Sequence, residues 1–358
     1  MEFDFLVIGG GIAGVSAGAR LARLGSVVLV EAEAGLGFHA SGRSASLFEE
    51  RYGSPTVVAL NRARSAFLHS EYGGVLTPRG LMLVGLPPQR AALERESVQM
   101  GMALISAEEA RKLVPILTDE ASGCAAYHAE TWDIDTDRLI QNFARAIREN
   151  GQTETGLRVE AVARVQGGWE VNAGKRTITA RKLVNAAGAW ADQVARLAGI
   201  SPFGLTPLRR SMARIPAPAG QDTRDWPMML GVGERWYAKP DAGALLVSPA
   251  EEEPCQPMDA WADDMTIAEG LARYEDHVSA PVTRVLSTWA GLRTFAPDRC
   301  LVLGPDPGEP DFIWVAGQGG FGFHTAPAAS QLVADLVAGR TPDLDSGIVN
   351  RLTPERLR

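Results

Sequence analysis

The apolar positions of this chain fall into short solid runs and longer helical repeats, separated by clusters of glycine and other small residues. Phe3 to Ile8 is a run of β-favouring residues, as expected of a strand covered on both faces. From Ala13 to Leu24 the apolar residues recur at helical spacing, and Gly25 stands where a C-cap glycine would. Ser26–Val30 predicts a second, parallel strand. Farther along, Lys182–Asn185 reads as a strand, Ala186-Ala187-Gly188-Ala189 as a turn of tiny side chains, and Trp190–Leu197 as a helix. Phe312–Ala316 predicts a late strand, followed by glycines at 317, 319, 320 and 322 and a helix closed by Gly339. Thr325 is the expected N-cap of that helix, with Pro327 in its first turn. Between these segments, the runs at 80–85 and 243–249 read as strands. Tyr237 to Gly243 reads as a hairpin in which Pro240 and Asp241 supply the turn and Gly243 the permissive backbone.

The first strand runs directly into Gly9-x-Gly11-x-x-Gly14, and Glu31 follows the second strand, 22 residues after Gly9. In such a unit the first glycine permits a tight turn and the second lets backbone approach a pyrophosphate. The third lets helix and strand lie close. A carboxylate at the end of the second strand accepts hydrogen bonds from ribose hydroxyls and repels a 2′-phosphate. Strand, glycines, helix, strand and acid arrive in order within one short stretch, which predicts dinucleotide binding. The late strand and its glycines favour a flavin over a nicotinamide. A helix N-terminus there would stabilise a reduced, anionic isoalloxazine, a site that NAD does not need.

Composition adds exclusions. The chain has 358 residues, 46% hydrophobic and 22% charged, enough for one large or two medium domains. A net charge of −8 argues against nucleic acid, whose phosphates demand a basic face. The three cysteines, Cys124, Cys255 and Cys300, are scattered and away from the five histidines, so neither a disulfide framework nor a metal site is expected. No apolar run reaches the ~18–20 residues of a membrane span, and no signal sequence is visible, so a cytoplasmic enzyme is expected.

Five ordered motifs then carry a resemblance: the opening fingerprint, HASGRSAS (39–46), NAAGAW (185–190), TWAGLRTFAPD (288–298) and GQGGFGFHTAP (317–327). Together they resemble the D-amino-acid oxidase-like FAD family, and most of all its bacterial D-amino-acid dehydrogenases of the D-arginine type. The resemblance implies an α/β fold. A discontinuous Rossmann-type FAD-binding domain (1–79, 136–204 and 288–358) is interleaved with a substrate domain on a mixed β-sheet (80–135 and 205–287). It implies non-covalently held FAD against Gly9, Gly11, Ile12, Ala13, Gly14 and Glu31. The loop Ser41, Gly42, Arg43 and Ser44 would lie along the pyrophosphate and flavin, and Val159 would touch the adenine end. Ala187, Gly188, Trp190, Gly291, Arg293, Gly319, Gly320, Phe321 and Gly322 would complete the cradle.

For the substrate, the resemblance places a carboxylate-binding guanidinium at Arg293, a phenol donor at Tyr237 and a pocket tyrosine at Tyr52. Arg210 is a candidate second cation, with Arg209 beside it facing solvent, and His324 would lie beside the flavin. The implied reaction is oxidative deamination of a D-amino acid by hydride transfer from Cα to flavin N5, the imino product hydrolysing to a 2-keto acid and ammonia. Relatives specialised for cationic substrates carry a carboxylate where this chain has Leu81, and their pocket loop differs at Leu47 and Glu49. An unpaired cation is costly to desolvate, so the expected substrate is a neutral or apolar D-amino acid or a cyclic imino acid. A glycine- or sarcosine-type secondary-amine oxidase and a 2-hydroxy-acid dehydrogenase are the alternatives on this scaffold. The electron acceptor, oxygen or a quinone, is left open. None of the four lysines (112, 175, 182 and 239) is marked as an oxygen-activating cation, which leans towards a dehydrogenase.

Overall fold

The computed structural model describes all 358 residues, Met1 to Arg358. Its first strand, Phe3–Ile8, lies between Val27–Val30 and the end of a long strand, Arg176–Asn185, parallel to both. Gly151–Glu154 extends this parallel core on one side and Phe312–Ala316 on the other. An antiparallel hairpin, Val159–Val165 and Gly168–Ala173, and the strand Val302–Pro305 complete an eight-stranded sheet. Alternate residues of the first strand enter different cores. Phe5 and Val7 join the cluster under the helices Ile12–Leu21, Thr136–Ile147 and Gly322–Val337, whereas Leu6 and Ile8 join one with Trp169 and Trp314. Burial on both faces is why the strand reads as a solid apolar run.

A nine-stranded sheet forms the second layer, mixed because Met228–Gly231 runs parallel to Leu81–Val84 while its other pairings are antiparallel. In it Thr206–Pro216 pairs along its whole length with Ser287–Phe295, Arg293 opposite Leu208 and Arg210 opposite Gly291. Ser287–Phe295, expected among the dinucleotide segments, therefore belongs to the sheet of the second layer. A small sheet of Leu47–Phe48, Trp132–Ile134 and Leu76–Pro78 bridges the layers.

Three local expectations need correction. The first helix ends at Leu21, three residues early, and Gly25 is not its cap. A Cβ on Gly25 would stand 2.6 Å from the Asp4 carboxylate, which accepts from the Ser26 amide and hydroxyl. The glycine makes room for that anchor. The hairpin turns at Ala242 and Gly243, with φ of 44° and 77°, so Pro240 and Asp241 remain in the strand Tyr237–Asp241. Thr325 is no N-cap. The late helix begins at Gly322 with Phe321 as its cap residue, and Thr325 lies buried inside it, its hydroxyl donating to the Phe321 carbonyl at 2.8 Å. Pro327 accordingly sits in the second turn. Gly339, with φ of 65°, closes the helix as expected.

Candidate active site

The opening motif folds as its glycines require. Gly9 has φ of 108° and a Cβ there would stand 2.4 Å from the Ala186 carbonyl oxygen; one on Gly14 would stand 1.9 Å from the Gly9 oxygen. Gly11 differs: its Cβ would meet only Ser41 Oγ, at 3.2 Å, and would otherwise project into open space. That space is a cavity of about 260 Å³ running from Glu31 past Gly11 to Arg293 and Gly320. Glu31 closes one end, its carboxylate held by the amides of Gly10 at 2.6 Å and Glu33 at 2.9 Å. The two helix N-termini meet along the cavity, since a Cβ on Gly322 would stand 3.1 Å from the Ile12 side chain. Backbone that approaches this closely, an acid at the strand end and two helix N-termini suit a pyrophosphate-linked dinucleotide.

Of the residues expected against the cofactor, Gly9, Gly11, Ile12, Ala13, Glu31, Ser41, Arg43, Ser44, Val159, Ala187, Gly188, Trp190, Gly291, Arg293, Gly319, Gly320 and Gly322 line this cavity. Gly14, Gly42 and Phe321 lie behind it. Gly14 carries the helix–strand contact, Gly42 donates its amide to the Gly37 carbonyl, and the Phe321 ring stands 5.5 Å from that of Tyr52. The Arg43 guanidinium is committed elsewhere: it donates to the Ala260 and Ala290 carbonyls at 2.9 and 2.8 Å and pairs with Asp259. It ties the loop to the second layer. Sequence reasoning missed Thr294 and Gln318, whose Oγ1 and Nε2 are buried in the cavity wall without partners.

A smaller cavity of about 70 Å³ opens beside the first, and all eight expected substrate residues line it: Arg293, Tyr237, Tyr52, Arg210, Leu47, Glu49, Leu81 and His324. Arg293, Arg210 and Tyr237 border both cavities. Cross-strand pairing puts the two arginines on one face of the sheet. Arg210 is buried and held by the Glu251 carbonyl at 2.9 Å and Glu252 at 3.4 Å; its burial and the charge of Arg293 pull its pKa down. Arg293 stands free of any carboxylate, and Gly320 makes room for it, because a Cβ there would lie 2.9 Å from its guanidinium. The Tyr237 hydroxyl is buried without a partner. Arg209, expected to face solvent, is half-buried against Cys255 and Glu253.

The acidic residues of the smaller cavity are already engaged. Glu49 accepts from the Thr131 hydroxyl at 2.8 Å and the Arg51 amide at 2.9 Å. Tyr52 donates its hydroxyl to Glu234 at 2.9 Å, and burial, then the Glu234 charge, raises its pKa, so it stays a protonated phenol. Glu234, Met228 and Leu230 were not found from sequence. Burial and the Arg293 charge push the His324 imidazole down to about 4, so it is neutral at ordinary pH, with Nδ1 unpartnered. Folded protein thus binds fewer protons than unfolded chain as pH falls from 6.5 to about 4, and stability is lost across that window. Thermal melts of His324→Gln are expected to remove roughly 3 kcal/mol of that loss; an unchanged pH slope would show that His324 is not held neutral.

Residues 4–336 match the family described as FAD dependent oxidoreductase, DAO. The chain belongs to it. This DAO-family chain is 28% identical to glycine oxidase of Pseudomonas aeruginosa, covering 96% of itself and 97% of that protein. It is 24% identical to human mitochondrial dimethylglycine dehydrogenase over 96% of itself but spans only 43% of that longer relative. The crystal structure of glycine oxidase from Geobacillus kaustophilus shares its fold, with a TM-score of 0.82, 22% identity and 97% of each chain covered. FAD is thus the dinucleotide that the larger cavity is built for. No helix is long and apolar enough to cross a membrane.

Proposed function

We propose that this DAO-family protein oxidises the Cα–N bond of a neutral or apolar D-amino acid or cyclic imino acid. The observation that carries the reading is Arg293, a guanidinium without a carboxylate partner at the junction of the two cavities. A planar guanidinium grips a carboxylate through two parallel hydrogen bonds. Tyr237, with its hydroxyl unspent, donates to the same carboxylate. Tyr52 spends its one hydroxyl donor on Glu234, so its oxygen is left as an acceptor for the substrate amine. Leu47, Leu81, Met228 and Leu230 supply apolar wall for the side chain. FAD, when bound, supplies the hydride acceptor, and the chain contributes chiefly position. The imino acid formed from a primary amine hydrolyses to a 2-keto acid and ammonia. The cyclic imine formed from a cyclic substrate instead opens to an amino-keto acid and releases no ammonia.

A second reading, a glycine- or sarcosine-type amine oxidase, is favoured by the likeness to glycine oxidase over nearly the whole of both chains. Anaerobic mixing of the yellow holoenzyme with D-Leu, D-Met, D-Phe, D-Pro, D-Arg, D-Lys, glycine and sarcosine separates the two. Bleaching at least tenfold faster with the larger D-amino acids is the expected result. A preference for glycine or sarcosine selects the second reading. Preference for D-Arg or D-Lys defeats the neutral-substrate assignment.

A further inference from the structure

Three buried polar atoms in the wall of the smaller cavity have no partner: Tyr237 Oη, His324 Nδ1 and Ser46 Oγ. Tyr237 borders the flavin cavity as well, where the substrate carboxylate is expected, whereas Ser46 and His324 border only the smaller one. Ser46 is 9% exposed and has φ of 50°, in the left-handed region that a residue with a side chain enters at a cost.

Its surroundings hold it there. The Ser46 amide donates to Ser44 Oγ at 3.2 Å, and its carbonyl accepts from the Ile134 amide at 3.0 Å. The preceding Ala45 carbonyl accepts from Lys239 Nζ at 2.7 Å. Lys239 is buried and rests on Asp133 at 2.6 Å, whose other oxygen accepts from Arg79 at 2.7 Å. The segment is thus fixed from the nine-stranded sheet and the small sheet together, in a conformation that leaves an unpaired hydroxyl buried in the cavity wall. The backbone angle carries a standing cost, and the hydroxyl is destabilising until something accepts from it or donates to it. The acids nearby do not compete, since Glu49 and Glu234 are engaged by Thr131, Arg51 and Tyr52.

We propose that the Ser46 hydroxyl reads the substrate side chain, so that a neutral amino acid bearing a hydroxyl or carboxamide is taken in preference to its aliphatic isostere. The inference rests on the amino-acid reading above and narrows it. Arg293 and Tyr237 fix the carboxylate on the flavin side, which sends the side chain towards Ser46, and His324 Nδ1 accepts from the same group.

Anaerobic flavin reduction of the holoenzyme by two isosteric pairs, D-Thr with D-Val and D-Asn with D-Leu, tests it. The native protein is expected to favour the polar member of each pair by about tenfold in kcat/KM, the worth of one neutral hydrogen bond. Ser46→Ala should abolish that ratio through loss on the polar member alone, with the melting temperature of the holoenzyme unchanged or raised. Ser46→Gly, which also relieves the backbone, should do the same. Equal losses on both members of a pair, or a preference that survives Ser46→Ala, overturn the assignment. If no amino acid bleaches a flavin that dithionite still reduces, the proposed function falls and this inference with it.

Discussion

Arg293→Met is expected to lower kcat/KM by about three powers of ten while the protein stays yellow. The magnitude comes from two charge-assisted hydrogen bonds, each worth about 1.5–3 kcal/mol. Methionine keeps much of the apolar stem, and the neighbouring Gly320 leaves room for it, so packing around the late helix is spared. Arg210 does not substitute, because its guanidinium is already spent on the Glu251 carbonyl and Glu252. Both KM and the limiting rate of flavin reduction should suffer, since the same grip binds the substrate and aims its Cα–H. Near-normal kcat/KM in this variant would remove Arg293 from the substrate site.

Gly11→Val is expected to give a folded but colourless protein. Gly11 has φ of −73° and ψ of 177°, a conformation open to any residue, and a Cβ there touches only Ser41 Oγ. A branched side chain is therefore tolerated by the protein and fills the space that a pyrophosphate needs. Gly14→Val is the contrast. Its Cβ would lie 1.9 Å from the Gly9 oxygen, so this variant should lose the fold itself. Flavin absorbance per chain, measured beside the far-ultraviolet circular dichroism, separates the two. A yellow Gly11→Val protein would take the pyrophosphate away from this turn.

The cofactor cradle was legible because its grammar is local. Strand, three glycines, helix, strand and Glu31 follow one another; Gly9 and Gly14 answer to a neighbour in the same unit or in the Ala186–Ala187 turn, and Gly11 to the cavity itself. The substrate cavity is assembled from residues as distant as Leu47 and His324, and no spacing connects them. Family resemblance brought Arg293, Tyr237 and Tyr52 into view, and the pairing of Thr206–Pro216 with Ser287–Phe295 explains why Arg210 joins them. Ser46 stood inside a quoted motif yet carried no signal, because its significance lies in a backbone angle and an unsatisfied hydroxyl. Glu234, only three residues before Tyr237, was missed because its role is set by contact with Tyr52. The turn of the Tyr237 hairpin was misplaced for a related reason. Alanine at 242 occupies a left-handed conformation that composition assigns to glycine or asparagine.

The order in which the strands adjoin has a bearing on how the enzyme is made. The first strand finds one parallel neighbour at Ala180–Asn185 and that neighbour finds its own at Phe312–Trp314. Until Phe312–Ala316 is in place, the apolar strand ending at Asn185 lacks that parallel neighbour, a setting in which premature association is a hazard. The turn at Gly9–Gly14 and the loop at Gly319–Gly322 face the same cavity although about 300 residues separate them. A cradle for the dinucleotide therefore exists only once both segments have docked, so cofactor capture follows the pairing of Phe312–Ala316 rather than preceding it.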